Sequence, residues 1–363
     1  MINSMKLVKT IACLMVSFLA IAYTALAIRS PIDAVLWQPD LNPGLTGVYA
    51  PNTALTEADL VLHDYGHGPE DITKGPDGWV YTGYEDGRVV RFDPRQPKES
   101  VELFTNTAGR PLGLQFDQSK NLIVADAKKG LLSVSPSGQI TVLVDQLDGV
   151  PLLFVDDLDI ADDGTIWFSD ASRRFDYHSN IYNFLEARFT GRLLSYSPLT
   201  GQTKVHMDDL FFANGVALGP QDQFVLINET GMARIHRLWL KGEKRGERDI
   251  FIDQLPALPD NLSFNDRDKF WVALVSLRDA QFESWASKIW LRNILAGLPV
   301  SAFDSMTHSK FGFAIALDLE GNVVESLQTS AGSIYSITSV NQLDDDLYFG
   351  SLTMPALSRM KIR

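Results

Sequence analysis

Cysteine is nearly absent: of 363 residues only Cys13 carries a thiol, and it lies in an apolar run near the amino end. The rest of the chain therefore has no disulfides and no thiolate metal ligands, which leaves oxygen and imidazole donors. The histidines are few as well. His63, His67, His178, His206, His236 and His308 form no HxxxH or HExxH pair, so a helical zinc site has no support. The strongest of them positionally, His67, precedes Glu70 by three residues and reads better as a surface-loop residue. No Gly-x-Ser-x-Gly elbow, Walker loop or Rossmann glycine pattern occurs in a suitable setting, which argues against covalent serine catalysis and nucleotide chemistry. Positive charge is also scarce. A net charge of -13 with no basic cluster argues against a nucleic-acid partner.

What the chain does have is repetition. Ile72, Leu114, Leu158, Val216, Leu262 and Val340 each close a short segment that leads through a turn into an apolar strand. Asp156-Asp157-Leu158, for example, passes through Asp163-Gly164 into Thr165-Ile166-Trp167-Phe168. The six markers are spaced by 42, 44, 58, 46 and 78 residues. Units of roughly 40–50 residues built from short strands and Asp-Gly turns predict a β-propeller. The expected fold is thus all-β, a six-bladed propeller, and the two long intervals are insertions.

The repeat also says where side chains meet. Innermost strands line a central channel, so residues at one register form a ring. Two positions before each marker stand Glu70, Leu112, Asp156, Asn214, Asp260 and Thr338. Three carboxylates and a carboxamide would converge near one axis, and the carboxylates cannot all stay ionised without a counter-charge. A hard cation with oxygen ligands is the natural partner. Asp and Asn also cap turns, a blander role that four residues in one register make less economical. Asp126 and Asp170 end equivalent second strands and are expected to bond turn amides; Glu229 is expected to pair locally with Arg234.

The flanking segments suggest an exported protein. Lys6 and Lys9 precede an uncharged run, Thr10 to Ile28, closed by Arg29. Nineteen such residues reach about 28 Å as a helix, just enough to cross a bilayer core of about 30 Å. Ala25-Leu26-Ala27 also fits a signal-peptidase site, so residues 1–27 are a signal peptide or a signal-anchor, the anchor (residues 10–28) being favoured. Either way the domain faces the extracytoplasmic side. Residues 28–60 form a Pro- and Asn-rich connector and 61–363 the propeller, with Val61-Leu62-His63 supplying a strand that closes the ring. The insertions, Arg173–Thr190 and the helix-like Leu277–Lys310, could roof the channel as lids, pack on the rim or, for the second, rest on a bilayer.

These residues resemble the superfamily of calcium-dependent six-bladed propellers, which includes the gluconolactonase/senescence-marker-protein family, the paraoxonases and the strictosidine-synthase-like proteins with their adipocyte plasma-membrane-associated relative. The likeness is strongest at Gly68-Pro69-Glu70-Asp71, Phe154-Val155-Asp156-Asp157-Leu158, Ala213-Asn214-Gly215-Val216 and Pro259-Asp260-Asn261. The resemblance implies that Glu70, Asn214 and Asp260 are metal ligands. It adds Asn261 as a further ligand and Asp71 at a second, structural ion. Asp156 stands where the family has Asn, which keeps an oxygen donor and adds a negative charge. Leu112 replaces the paraoxonase histidine, and Ser339 stands where strictosidine synthase has its catalytic glutamate.

The resulting expectation is a hydrolase of a small-molecule lactone or ester. One divalent cation, calcium before Zn2+, Mn2+ or Mg2+, would polarise the carbonyl from ligands Glu70, Asp156, Asn214, Asp260 and Asn261. Asp260 doubles as general base, as the gluconolactonase resemblance implies. The N-terminal segment supplies the membrane contact, and no obligate protein partner is inferred. The alternatives are a non-catalytic ligand- or protein-binding propeller and a strictosidine-synthase-like bond-forming enzyme.

Overall fold

A computed structural model describes residues 2–303 and 310–362. Within them the chain forms six four-stranded antiparallel sheets, arranged as the blades of a propeller. The inner strands are Ile72–Lys74, Pro111–Phe116, Val155–Ile160, Ala213–Leu218, Ala257–Phe264 and Ile337–Leu343. Each packs against the next, and the last against the first, so the ring is closed. Closure comes from the strand Asp59–Val61, which pairs with Leu357–Lys361 as the outer strand of the last blade. The amino-terminal strand expected for this purpose is therefore present, starting two residues earlier.

The second strands of the blades are buried for most of their length, and Leu122–Asp126, Ile166–Asp170 and Phe224–Glu229 throughout. These strands lie between neighbouring blades and have no solvent face, so they read as continuous apolar runs. Outer strands are more open, as in Ile140–Val144, where Thr141 and Val142 are exposed. The segment before the first blade does not fold by itself. Asn52 Nδ2 donates to the carbonyl of Ser326 (2.9 Å), and Gln328 Nε2 donates to the carbonyl of Tyr49 (3.0 Å).

Contacts divide the chain into two compact units. The propeller belongs to residues 40–178, 189–278 and 308–363, while residues 1–39, 179–188 and 279–307 form a second, helical unit. The latter gathers the N-terminal segment and most of both insertions, residues 304–309 and His308 lying outside the described residues. Its helices are α1 (Ile2–Arg29), α2 (Ile181–Glu186), α3 (Ala280–Glu283) and α4 (Ile289–Leu295). Helix α1 is long and apolar enough over Lys6–Arg29 to cross a membrane. The Asp279 carboxylate caps α3 by accepting from the Phe282 amide at 2.7 Å. Both α1 and α2 pack on α4.

One fully buried cation holds the helical unit together. Arg292 donates from Nη1 to the Leu185 carbonyl (2.9 Å) and from Nη2 to the carbonyls of Ala286 (2.8 Å) and Val35. Arg292→Met would leave these acceptors unsatisfied, at a cost of about 3 kcal/mol. Protease cleavage within residues 279–303 should therefore speed up at least tenfold. Unchanged cleavage would show that the arginine is dispensable.

Candidate functional site

Along the inner strands the pairing register slips at the dipeptide that precedes each marker, such as Asp156-Asp157 before Leu158. It shifts between Val155 and Leu158, Ala213 and Val216, Pro259 and Leu262, and Ile337 and Val340. A bulge of this kind inserts extra backbone and re-aims side chains. The two letters of each dipeptide consequently form two distinct layers.

The second letters run Asp71, Gly113, Asp157, Gly215, Asn261 and Ser339. Asp71 and Asp157 each cross to the following blade, and the glycines at this position of the second and fourth blades leave room for the blade after them. Asp71 Oδ2 accepts from the Leu114 amide (2.9 Å), and Asp157 Oδ2 from the Val216 amide (2.8 Å). A Cβ on Gly113 would come within 2.6 Å of Asp157 Oδ1, and one on Gly215 within 2.7 Å of Asn261 Cα, so neither position has room for a side chain. Asp71, Asp157, Asn261, Ser339 and Asn341 line a channel cavity of about 360 Å³. Asp71, placed by resemblance at a structural ion, acts here as a clasp between blades and also accepts from Asn341 Nδ2 at 2.9 Å.

The first letters form the charged layer. Glu70, Asp156, Asn214 and Asp260 are all buried, and none lines that cavity. The three carboxylates lie within electrostatic reach of one another. Burial pushes Asp156 well above the ordinary carboxylate range, and the charges of Glu70 and Asp260 add to it. Burial followed by the charge of Glu70 does the same to Asp260, opposed by a hydrogen bond from the Asn214 side chain. That bond uses the amide nitrogen and leaves Asn214 Oδ1 buried without a partner. Glu70 is pushed up to about 7 by burial, with Arg110 pulling the other way.

Not every residue of the register joins this layer. Leu112 is apolar, and the Thr338 hydroxyl donates to the Glu70 carbonyl (2.8 Å). Asn261 approaches from the channel side, and neither its Oδ1 nor its Nδ2 has a partner. Ser339 also donates to the Glu70 carbonyl, at 2.6 Å. Among the described residues no three Asp, Glu, His or Cys side chains stand close enough to hold a metal ion by themselves. An ion at the axis would need the asparagine oxygens too.

Sequence reasoning missed Arg110. It is fully buried, pairs through Nη2 with Glu70 Oε2 and donates from Nη1 to the Gly68 carbonyl at 2.7 Å. The signal was available two positions upstream of the charged ring, where the register reads Gly68, Arg110, Phe154, Phe212, Leu258 and Ser336, with a single cation. Gly68 has φ +61°, and a Cβ there would lie 2.7 Å from the Leu352 carbonyl and 3.0 Å from Arg110 Nη2. Phe154 packs edge-on against Phe212 (5.3 Å between centroids) and Tyr177 (5.8 Å), giving this layer an aromatic side.

The carboxylates at the ends of second strands are structural. Asp126 Oδ1 accepts from the amides of Arg110 and Lys128, both at 2.9 Å. Asp170 accepts from the Phe154 amide and pairs with Arg192. Glu229 pairs with Arg234 at 2.5 Å as expected, and also bonds His236 (2.6 Å) and the Phe211 amide (2.8 Å). His67 is exposed.

Comparison with known proteins matches residues 156–243 to the strictosidine synthase family profile and residues 47–92 to the strictosidine synthase-like N-terminal profile. Strictosidine synthase-like protein 4 of Arabidopsis thaliana is 32% identical over 336 residues, 92% of this chain and 88% of the relative. The adipocyte plasma membrane-associated protein of Salmo salar is 31% identical over 96% of this chain and 88% of its own length. Among solved structures, a gluconolactonase from Xanthomonas campestris superposes with a TM-score of 0.61 at 16% identity, covering 91% of this chain and 98% of that one. A calcium-binding protein, regucalcin, from Agrobacterium tumefaciens does so with a TM-score of 0.59 at 12% identity, covering 84% and 93%. At such identities the superpositions speak for the propeller fold alone.

Proposed function

Because the chain belongs to the strictosidine synthase-like and adipocyte plasma membrane-associated protein family, with a propeller shaped like that of the gluconolactonases, we propose that it is a membrane-tethered, metal-dependent hydrolase of lactones or esters. The observation that carries this reading is the buried layer of three mutually repelling carboxylates beside an unpartnered amide oxygen, Asn214 Oδ1. Buried polar atoms without partners are rare, and oxygen donors in this number suit a hard cation. Glu70, Asp156, Asn214 and Asp260 would hold it, joined by Asn261 from the channel side.

A divalent cation, calcium first, would supply Lewis-acid polarisation of the substrate carbonyl. Asp260 serves as general base: its carboxylate takes a proton from the attacking water as the water oxygen bonds to the carbonyl carbon. The same proton then goes to the departing alkoxide oxygen as the acyl–oxygen bond breaks. Asn214 fixes the orientation of the Asp260 carboxylate by donating to it, which also favours the ionised form. Strictosidine-type condensation is disfavoured, since position 339 carries a serine bonded to the Glu70 carbonyl. Helix α1 is read as the anchor, with the propeller on the extracytoplasmic side.

The test is a panel of lactones and aryl esters assayed with the purified full-length chain. Turnover that a chelator abolishes and Ca2+ restores is expected. No metal-dependent turnover on any member would leave a binding propeller as the better reading.

A further inference from the structure

Arg110 takes no part in the mechanism above, yet it is wholly buried within the same site. Beyond its contacts with Glu70 and Gly68, its guanidinium carbon lies 5.6 Å from the centre of the Tyr177 ring, and its Nε has no partner. Removing a guanidinium from water is costly unless opposite charge is close by. Here the opposite charge is in excess. Glu70 is bonded directly, and the field of Arg110 reaches Asp156 and Asp260 as well.

Charge counting gives this arrangement a purpose. Glu70, Asp156 and Asp260 carry three negative charges when ionised, and Arg110 returns one positive charge. This layer is then left with a net charge of -2, the amount a divalent ion neutralises, while the neighbouring Asp71 and Asp157 are engaged by backbone amides of the following blades. Without the arginine it would hold three, and inside a protein each unit of ion charge changes affinity by roughly ten- to a hundredfold at separations of about 6–10 Å.

We propose that Arg110, bonded to Glu70, is the resident counter-charge of the axial site's three carboxylates, and that it tunes the site to a divalent rather than a trivalent cation. This rests on reading the axis as a cation site. Arg110 is a positioning residue: it acts through Glu70 and through its field, not on the substrate.

The test measures ion preference, not turnover. Full-length chain in detergent is titrated with Ca2+ by calorimetry and with Tb3+ by sensitised emission, for the wild type, Arg110→Gln, Arg110→Lys, Asp156→Asn and the double variant Arg110→Gln/Asp156→Asn. Arg110→Gln should raise the ratio of Tb3+ to Ca2+ affinity about tenfold or more. Arg110→Lys should keep the wild-type ratio, and the double variant should return to within about threefold of it. An unchanged ratio in Arg110→Gln, or a double variant that behaves like Arg110→Gln, overturns the proposal. Should Arg110→Gln not fold alone, the comparison is made in the Asp156→Asn background, where adding Arg110→Gln should raise the ratio about tenfold and an unchanged ratio overturns the proposal.

If the wild type binds neither ion, the cation reading of the axis fails and the tuning fails with it. The counter-charge itself is then read from melting temperatures in chelator at pH 8. Recovery of part of the Arg110→Gln loss by adding Asp156→Asn keeps the counter-charge role, and strict additivity removes it.

Discussion

Asp260→Asn is expected to lower kcat/KM on the best lactone or ester by about a thousandfold or more, while the melting temperature stays within a few degrees of wild type. The carboxamide has the shape of the carboxylate and can still lend an oxygen to an ion, but it cannot take a proton from water. Asp260 is also a raised, buried carboxylate that repels Glu70, so replacing it by a neutral group relieves strain in the ion-free protein. Measuring activity, Ca2+ affinity and thermal stability on one preparation separates the roles. Turnover that stays lost at saturating Ca2+, with stability kept, assigns Asp260 to proton transfer. Activity that falls only in step with Ca2+ affinity would reduce it to a ligand, and full activity would remove it from the mechanism.

The second large effect concerns pH and the ion together. Burial raises Glu70 from 4.5 to about 7, and it raises Asp71 and Asp159 from 3.8 to about 6. Each binds its proton more tightly in the folded chain than in the unfolded one. Their stabilising contribution is thus complete below about pH 4 and is lost as the pH rises through 6 to 7. Glu229 behaves in the opposite sense: hydrogen bonds from His236 and Arg234 outweigh its burial and hold it below 4.5, so its contribution is lost only in stronger acid. In chelator, the melting temperature at pH 5 should exceed that at pH 8 by on the order of 10 °C. Millimolar Ca2+ should remove most of that difference by stabilising the pH 8 protein, since ion binding requires deprotonated carboxylates. A melting temperature that rises from pH 5 to pH 8 in chelator, or one indifferent to Ca2+ at pH 8, contradicts the picture of crowded, uncompensated carboxylates.

Much of this site could be read before any coordinates. The repeat placed Glu70, Asp156, Asn214 and Asp260 at one register because a propeller presents the same strand position of every blade to the axis. It also set Asp126 and Asp170 apart as residues that bond turn amides and Glu229 as one that pairs locally; the contacts of Asp126 and Glu229 bear that out, while Asp170 bonds the distant Phe154 amide and pairs with Arg192. Asn261 was less legible. A bulge separates the two letters of its dipeptide, and an alternating count cannot tell which of two adjacent side chains faces the channel.

Composition and periodicity alone determined that this chain is a six-bladed propeller preceded by an apolar helix, because blade length and strand alternation are local properties that repeat. They also determined which carboxylates share a register. Only the tertiary structure decided that Arg110 answers the charge of that register, since its guanidinium reaches Glu70 from the neighbouring blade, 40 residues away in the chain. It alone decided, too, that the insertions and the N-terminal helix pack with one another, because their mutual burial depends on contacts between segments that no local pattern links.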